Sequence, residues 1–148
     1  MGSVSHRAVI DAPRDRVFDY VNDYRNVPEY MDGIRTFTPT TDVDEGLGAI
    51  FDAELNLGPK TLKSTVEVTE WVRDEVIVLD SIAGFRADTR WRFTDADGGT
   101  EMHVEFSYTL PGGLAGKALA ALIEPFANQA VKRTEANLIA GVVDTPKG

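Results

Sequence analysis

Four polar side chains fall where chemistry could use them. Ser64, Thr89 and Tyr108 sit on the apolar parity of alternating segments. Each hydroxyl there must find a partner or face a cavity, because burying it unpaired costs roughly 1 to 3 kcal/mol. Asn137 lies a whole number of helical turns after Leu119 and shares its apolar face. Together Tyr108, Ser64 and Asn137 could act as general acid and orienting groups on an enclosed substrate. Asp80 stands in an apolar run and is either a buried acid or base or, the favoured reading, a solvated carboxylate. His6 and His103 fall on opposite parities of their segments, which aims them apart and argues against a metal site. The chain has no cysteine, which excludes thiol catalysis and cysteine metal sites. It also has no phosphate loop and no Gly-x-Ser-x-Gly turn. The expectation is chemistry or binding without metal or cofactor.

The surroundings of these residues are bounded by size and charge. A chain of 148 residues reads as one domain over 1–148, able to bury about 70% of its unfolded surface. The net charge of −9 is spread along the chain, and the densest basic cluster, Arg86, Arg90 and Arg92, is interrupted by Asp88. That argues against nucleic acid as a partner and favours neutral or weakly polar ligands over anions. The three arginines are expected to pair with acidic neighbours on a solvent face. No apolar run approaches the ~18 residues of a membrane span, and the N-terminus has neither a signal-peptide core nor the Ser or Thr of a myristoylation motif. A cytoplasmic protein is expected. Monomer and dimer both stay open.

The elements that must position the polar groups follow from periodicity. Val4 to Ala12 alternates as a strand, with His6 on its inward side. Pro13 opens a short helix, Arg14 to Val21, carrying Val17, Phe18 and Val21 on one side. A second helical piece runs from Asp23 to Met31, interrupted by Pro28. Six segments of period two then follow. They are Ile34 to Thr40, Ala49 to Leu57, Lys60 to Trp71, Val76 to Ala83, Arg86 to Thr94 and Glu101 to Leu110, separated by Asp42–Gly48, Gly58-Pro59, Arg73-Asp74-Glu75 and Asp97-Gly98-Gly99. Val76 to Ala83 is apolar on both parities, so its inner face is undetermined. From Leu114 to Val142 the spacing predicts one long amphipathic helix, well over twice the usual roughly 11 to 12 residues. Pro125 within it reads as the start of a second straight portion.

The order strand, two helices, six strands, helix predicts an α+β fold with an antiparallel sheet. Seven strands at ~4.8 Å make a surface about 34 Å wide, whereas a helix is about 10 to 12 Å across. One helix cannot cover that surface. A curved sheet would wrap it, and the uncovered concave remainder either fills with bulky side chains or stays open as an apolar pocket.

The opening Ile10-Asp-Ala-Pro-Arg-Asp-Arg-Val-Phe-Asp-Tyr-Val-Asn-Asp-Tyr-Arg-Asn-Val-Pro-Glu-Tyr-Met31 resembles the start of the START-like polyketide cyclase/dehydrase and lipid-transport superfamily. Trp91-Arg-Phe-Thr, Asp97-Gly-Gly-Thr and the Gly112-Gly113 entry into the last helix are similar to the rest of that pattern, over essentially the whole chain. The resemblance implies a helix-grip fold, a seven-stranded antiparallel sheet around the C-terminal helix, with a ligand between them. It implies pocket-lining roles for Phe51, Leu55, Leu62, Ser64, Val66, Thr89, Trp91, Phe106 and Tyr108 from strands. Phe126, Ala130 and Asn137 would line it from the helix, with Tyr24, Tyr30 and Met31 as a lid. In the aromatase/cyclase branch a strand arginine orients a polyketone; the comparable strand here, Leu62-Lys-Ser-Thr-Val-Glu-Val-Thr, has none. Three readings remain: a binder or carrier of a hydrophobic small molecule such as a lipid, quinone or polyketide-like compound; a cyclase/dehydrase-type enzyme; or a protein-interaction module with a filled cavity.

Overall fold

The computed structural model describes residues 2–31, 34–57, 60–109, 133–134 and 136–142. In chain order they form β1 (Gly2–Ile10), α1 (Arg14–Asn22), a 3-10 turn (Tyr24–Asn26), α2 (Val27–Tyr30), β2 (Ile34–Pro39), β3 (Ile50–Leu57), β4 (Lys60–Val72), β5 (Val76–Gly84), β6 (Arg86–Ala96) and β7 (Gly99–Thr109). Residues 133–134 and 136–142 are helical and are called α3. The expected Leu114–Val142 helix otherwise lies outside the described residues, as do Pro125, Gly58-Pro59 and the side chains Phe126 and Ala130.

All seven strands join one curled antiparallel sheet in the order β1-β7-β6-β5-β4-β3-β2. The first strand therefore lies beside the last, with Ile10 opposite Thr100 and His6 opposite Val104. This order fixes where the early helices go. β1 and β2 are opposite edges of the sheet, so the chain from α1 to α2 must travel between those edges, along the concave face. There α1 buries Val17, Phe18 and Val21 against Trp91, Phe93 and Met102, and α3 adds Leu138 and Val142, four residues apart on one helical face. Phe18 meets Trp71 and Phe93 edge-on, with ring centroids 5.5 and 5.4 Å away. Thr100 is fully buried and its hydroxyl donates to the Ala12 carbonyl at 2.8 Å, joining the end of β1 to the start of β7.

Pro28, the bulges in β2 and β4 and the outer-face arginines depart from the sequence pattern, whereas β5 and Asp80 follow it. Pro28 does not interrupt a helix; it occupies the first turn of α2, where its missing N–H costs nothing. β2 carries a register shift between Ile34 and Thr36, and the β4–β5 pairing carries two, between Thr65 and Val66 and between Val68 and Glu70. An extra residue in a strand reverses the parity beyond it, so Ile34 and Phe37 both face inward, opposite Leu55 and Ala53, and Trp71 turns inward opposite Ile77. β5 buries Val76, Ile77 and Val78 in succession, on both faces. The outward valines Val76 and Val78 stand in register with Arg92 and Arg90, whose aliphatic stems are their neighbours on that face. The expected acidic pairing of Arg86, Arg90 and Arg92 is not found: among the described residues none makes an ion pair within 4 Å, although Glu105 is opposite Arg90. Asp80 lies on the outer face, where it accepts from Thr69 Oγ1 at 2.7 Å.

Candidate functional site

The passage of α1 and α2 across the sheet leaves a gap on the β2–β6 side. β6 and β7 pack beneath α1, and at the other side the described residues over the sheet are a 3-10 turn and a four-residue helix. An apolar cavity results. Its floor is Phe51, Ala53, Leu55, Val66 and Val68 of β3 and β4, continued by Ile77 and Leu79 of β5 and by Ala87, Thr89 and Trp91 of β6. Its roof is Val21, Val27, Tyr30 and Met31, with Ile34 and Phe37 of β2 closing one side. The cavity volume is ≈ 80 Å³, and the space continues through its mouth into open solvent. The enclosed part suits a small or slender apolar group.

The roof is held by aromatic contacts and a few hydrogen bonds. Tyr30 is buried, donates its hydroxyl to the Val21 carbonyl at 2.8 Å and meets Trp91 edge-on, with centroids 5.8 Å apart and an interplanar angle of 88°. Burial pushes the Tyr30 phenol far above its ordinary range, with smaller contributions from Tyr20 and Asp23. It is therefore a neutral donor at every ordinary pH. Asn137 of α3 reaches the Tyr30 carbonyl through Nδ2 at a long 3.5 Å. Asn22 Oδ1 accepts from Trp71 Nε1 at 2.9 Å, which ties the end of α1 to β4. Tyr24 lies over Phe51 at 5.9 Å, and Phe51 stacks on Phe37 at 4.6 Å and 22°.

Polar groups in this lining are few. Ser64 is buried and donates its hydroxyl to the Phe85 carbonyl at 2.8 Å, which leaves the oxygen able to accept. The Thr89 and Tyr24 hydroxyls have no hydrogen-bond partner among the described residues, so each can serve a guest. Glu45 and Gly46, from the loop before β3, border the mouth. Among the described residues no group of three His, Cys, Asp or Glu could hold a metal ion.

Of the residues expected in a pocket, Tyr24, Tyr30, Met31, Phe51 and Leu55 line the cavity, and so do Ser64, Val66, Thr89 and Trp91. Leu62, Phe106, Tyr108 and Asn137 do not. Phe106 and Tyr108 share the inward parity, but β7 lies one strand beyond the cavity, and their rings instead neighbour each other at 6.1 Å. Leu62 is half-buried toward the open end of β4. Asn137 buttresses the roof from behind through Tyr30. Among the described residues, the wall facing the sheet is built by α1, the 3-10 turn and α2; the expected contributions of Phe126 and Ala130 lie outside them. Missed by the sequence reading were Ile34 and Phe37, hidden by the β2 bulge, and Ile77 and Leu79, hidden in a strand buried on both faces. Glu45 gave no periodic signal at all.

Comparison with known proteins agrees with this architecture. The family described as polyketide cyclase/dehydrase and lipid transport matches residues 1–141. No curated protein sequence matches the chain. Among solved structures, TTHA0849 from Thermus thermophilus superposes with a TM-score of 0.82 at 20% identity, covering 97% of this chain and 98% of its own. A START superfamily protein from Mycobacterium smegmatis gives 0.73 at 15% identity, with 96% and 97% covered. The Zhui aromatase/cyclase from Streptomyces sp. R1128 gives 0.71 at 14% identity, with 96% and 93% covered. At these identities the likeness is one of fold, the helix-grip arrangement of a curled sheet, two short early helices and a C-terminal helix.

Proposed function

The chain belongs to the polyketide cyclase/dehydrase and lipid transport family, and from that premise we propose that it binds and carries a small hydrophobic molecule in the cavity beneath α2. The observation that carries this reading is the make-up of the walls: among the described residues they are mainly aliphatic and aromatic side chains, interrupted by the Asn22 amide, the hydroxyls of Ser64, Thr89 and Tyr24, and Glu45 at the mouth. Such a lining is favourable for apolar surface at about 25 cal/mol per Å² and offers orientation without strong charge. A short or flat guest fits the closed space; a longer one extends through the mouth between Tyr24 and Glu45. No helix among the described residues is long and apolar enough to cross a membrane, and the lack of cysteine fits a reducing cytoplasm.

The enzyme reading is less well supported. Its general acid and orienters, Tyr108, Ser64 and Asn137, do not converge, since only Ser64 lines the cavity. Tyr30, the one buried phenol of the roof, has its proton committed to the Val21 carbonyl and is held neutral. The interaction-module reading requires a filled interior, and the space beneath α2 supports the binding reading in its place.

The test is a titration with octanol, slender enough to enter the cavity and extend through its mouth, followed by the fluorescence of Trp71 and Trp91. Saturable one-to-one binding is expected, and it should be abolished by Ala87→Leu and by Ala53→Phe, which fill the floor. If binding is absent, or if neither filled variant weakens it, the proposal is wrong.

A further inference from the structure

Resting on the reading of the cavity as a ligand site, we propose that its guest is a cation with an apolar body, its ammonium-type head seated at Asp44 and Glu45. Asn22, Tyr24 and Glu45 border both the apolar cavity and a polar cleft, so the two spaces adjoin at these three residues. A molecule whose body lies under α2 and that extends past Tyr24 and Glu45 has its head in that cleft. The cleft holds the carboxylates Asp19, Asp23, Asp44 and Glu45 against the guanidiniums Arg25 and Arg73.

Both guanidiniums are already committed. Arg25 grips Asp23 with two hydrogen bonds, 2.9 Å from Nε and 2.8 Å from Nη2. Arg73 pairs with Asp19 at 2.6 Å and with Asp74 at 3.3 Å, and its charged end stands 5.3 Å from the centre of the Phe18 ring. Arg25 also feels the field of Asp44, though not as a contact: among the described residues neither Asp44 nor Glu45 makes an ion pair within 4 Å. Two carboxylates are left over at the head position. The chain as a whole carries −9, so the long-range field has the same sign. An anionic head meets repulsion there and no free cation; a neutral head gains nothing; a cationic head gains both carboxylates and the aromatic face of Tyr24.

Three probes of one chain length separate head from body: octylammonium, octanol and octanoate, titrated at neutral pH and low salt against tryptophan fluorescence. Because the carboxylates are exposed, each change of head should alter affinity about two- to fivefold, in the order octylammonium, octanol, octanoate. The spread should shrink in 1 M salt. The double variant Asp44→Asn, Glu45→Gln should erase the spread, with its circular dichroism and urea midpoint reporting that the fold is retained. Equal affinities for the three probes, tightest binding of octanoate, or a spread that survives the double variant would overturn the cationic head and leave the cavity reading intact. Failure of all three to bind saturably would remove both.

Discussion

Tyr30 and Trp91 meet edge to face at 5.8 Å, and this contact joins the roof of the cavity to its floor. The same tyrosine donates its hydroxyl to the Val21 carbonyl and receives Asn137 on its backbone carbonyl, so α1, α2, α3 and the sheet all converge on one residue. Its ring supplies the apolar closure and its hydroxyl the alignment, and the two can be separated by substitution.

Tyr30→Phe keeps the ring and removes the hydrogen bond, leaving the Val21 carbonyl short of a partner. It should cost about 1 kcal/mol. Tyr30→Ala removes the roof and should cost about 3 kcal/mol or more, because a buried aromatic leaves a void. Urea unfolding of both variants reads the difference; equal losses would mean that the hydroxyl, not the ring, holds α2 down.

Alkaline pH should loosen the same contact. The folded pKa of Tyr30 lies above the unfolded value of 10.0, so its stabilising contribution is complete below about pH 10 and is lost as pH rises beyond that. Tyr20, raised by burial and by Glu29, adds in the same direction. The urea midpoint should fall between pH 9 and pH 11 (about 1 unit either side of the ordinary tyrosine value). The fall should be smaller in Tyr30→Phe, and an unchanged slope in that variant would assign the effect elsewhere.

Gly141 shows how tertiary packing overrides helix propensity. In an isolated helix Gly→Ala is favourable by about 1 kcal/mol. Here a β-carbon at Gly141 would overlap the Tyr20 hydroxyl and ring edge. Gly141→Ala should therefore destabilise by about 1 to 3 kcal/mol, and the sign should reverse in a Tyr20→Ala background. Thermal unfolding of the four proteins of that cycle gives the coupling.

Asn22 tests the junction of α1 with the bulged end of β4. Asn22→Leu leaves the half-buried Trp71 Nε1 without its acceptor and should cost about 1 to 3 kcal/mol. Asn22→Asp retains an acceptor and should cost less. Near-ultraviolet circular dichroism of Trp71 alongside urea unfolding distinguishes the two outcomes.

Much of this molecule is written locally. Strict alternation in Phe51-Asp-Ala-Glu-Leu55 and in Met102 to Tyr108 marks the inward side chains, because successive residues of a strand point to opposite faces. Asp97-Gly98 marks a turn because Gly98 must take a φ of 81°, which costs glycine little. The spacing of Val17, Phe18 and Val21 marks the buried face of α1. From these alone come the element order, the antiparallel sheet and the expectation of concave room beside a helix.

What no local pattern could settle was which inward residues share the same space. Parity placed Tyr108 and Thr89 alike, yet β7 lies a strand away from the cavity and Thr89 borders it. Two bulges moved Phe37 and Trp71 to the inner face, since one extra residue reverses every side chain after it. The course of α1 and α2 along the concave face followed from β1 and β2 ending on opposite edges, a long-range pairing that only the assembled sheet decides. The acidic mouth at Asp44 and Glu45 arises in the same way, from a loop with no periodicity brought beside Tyr24 and Asn22 when the sheet curls.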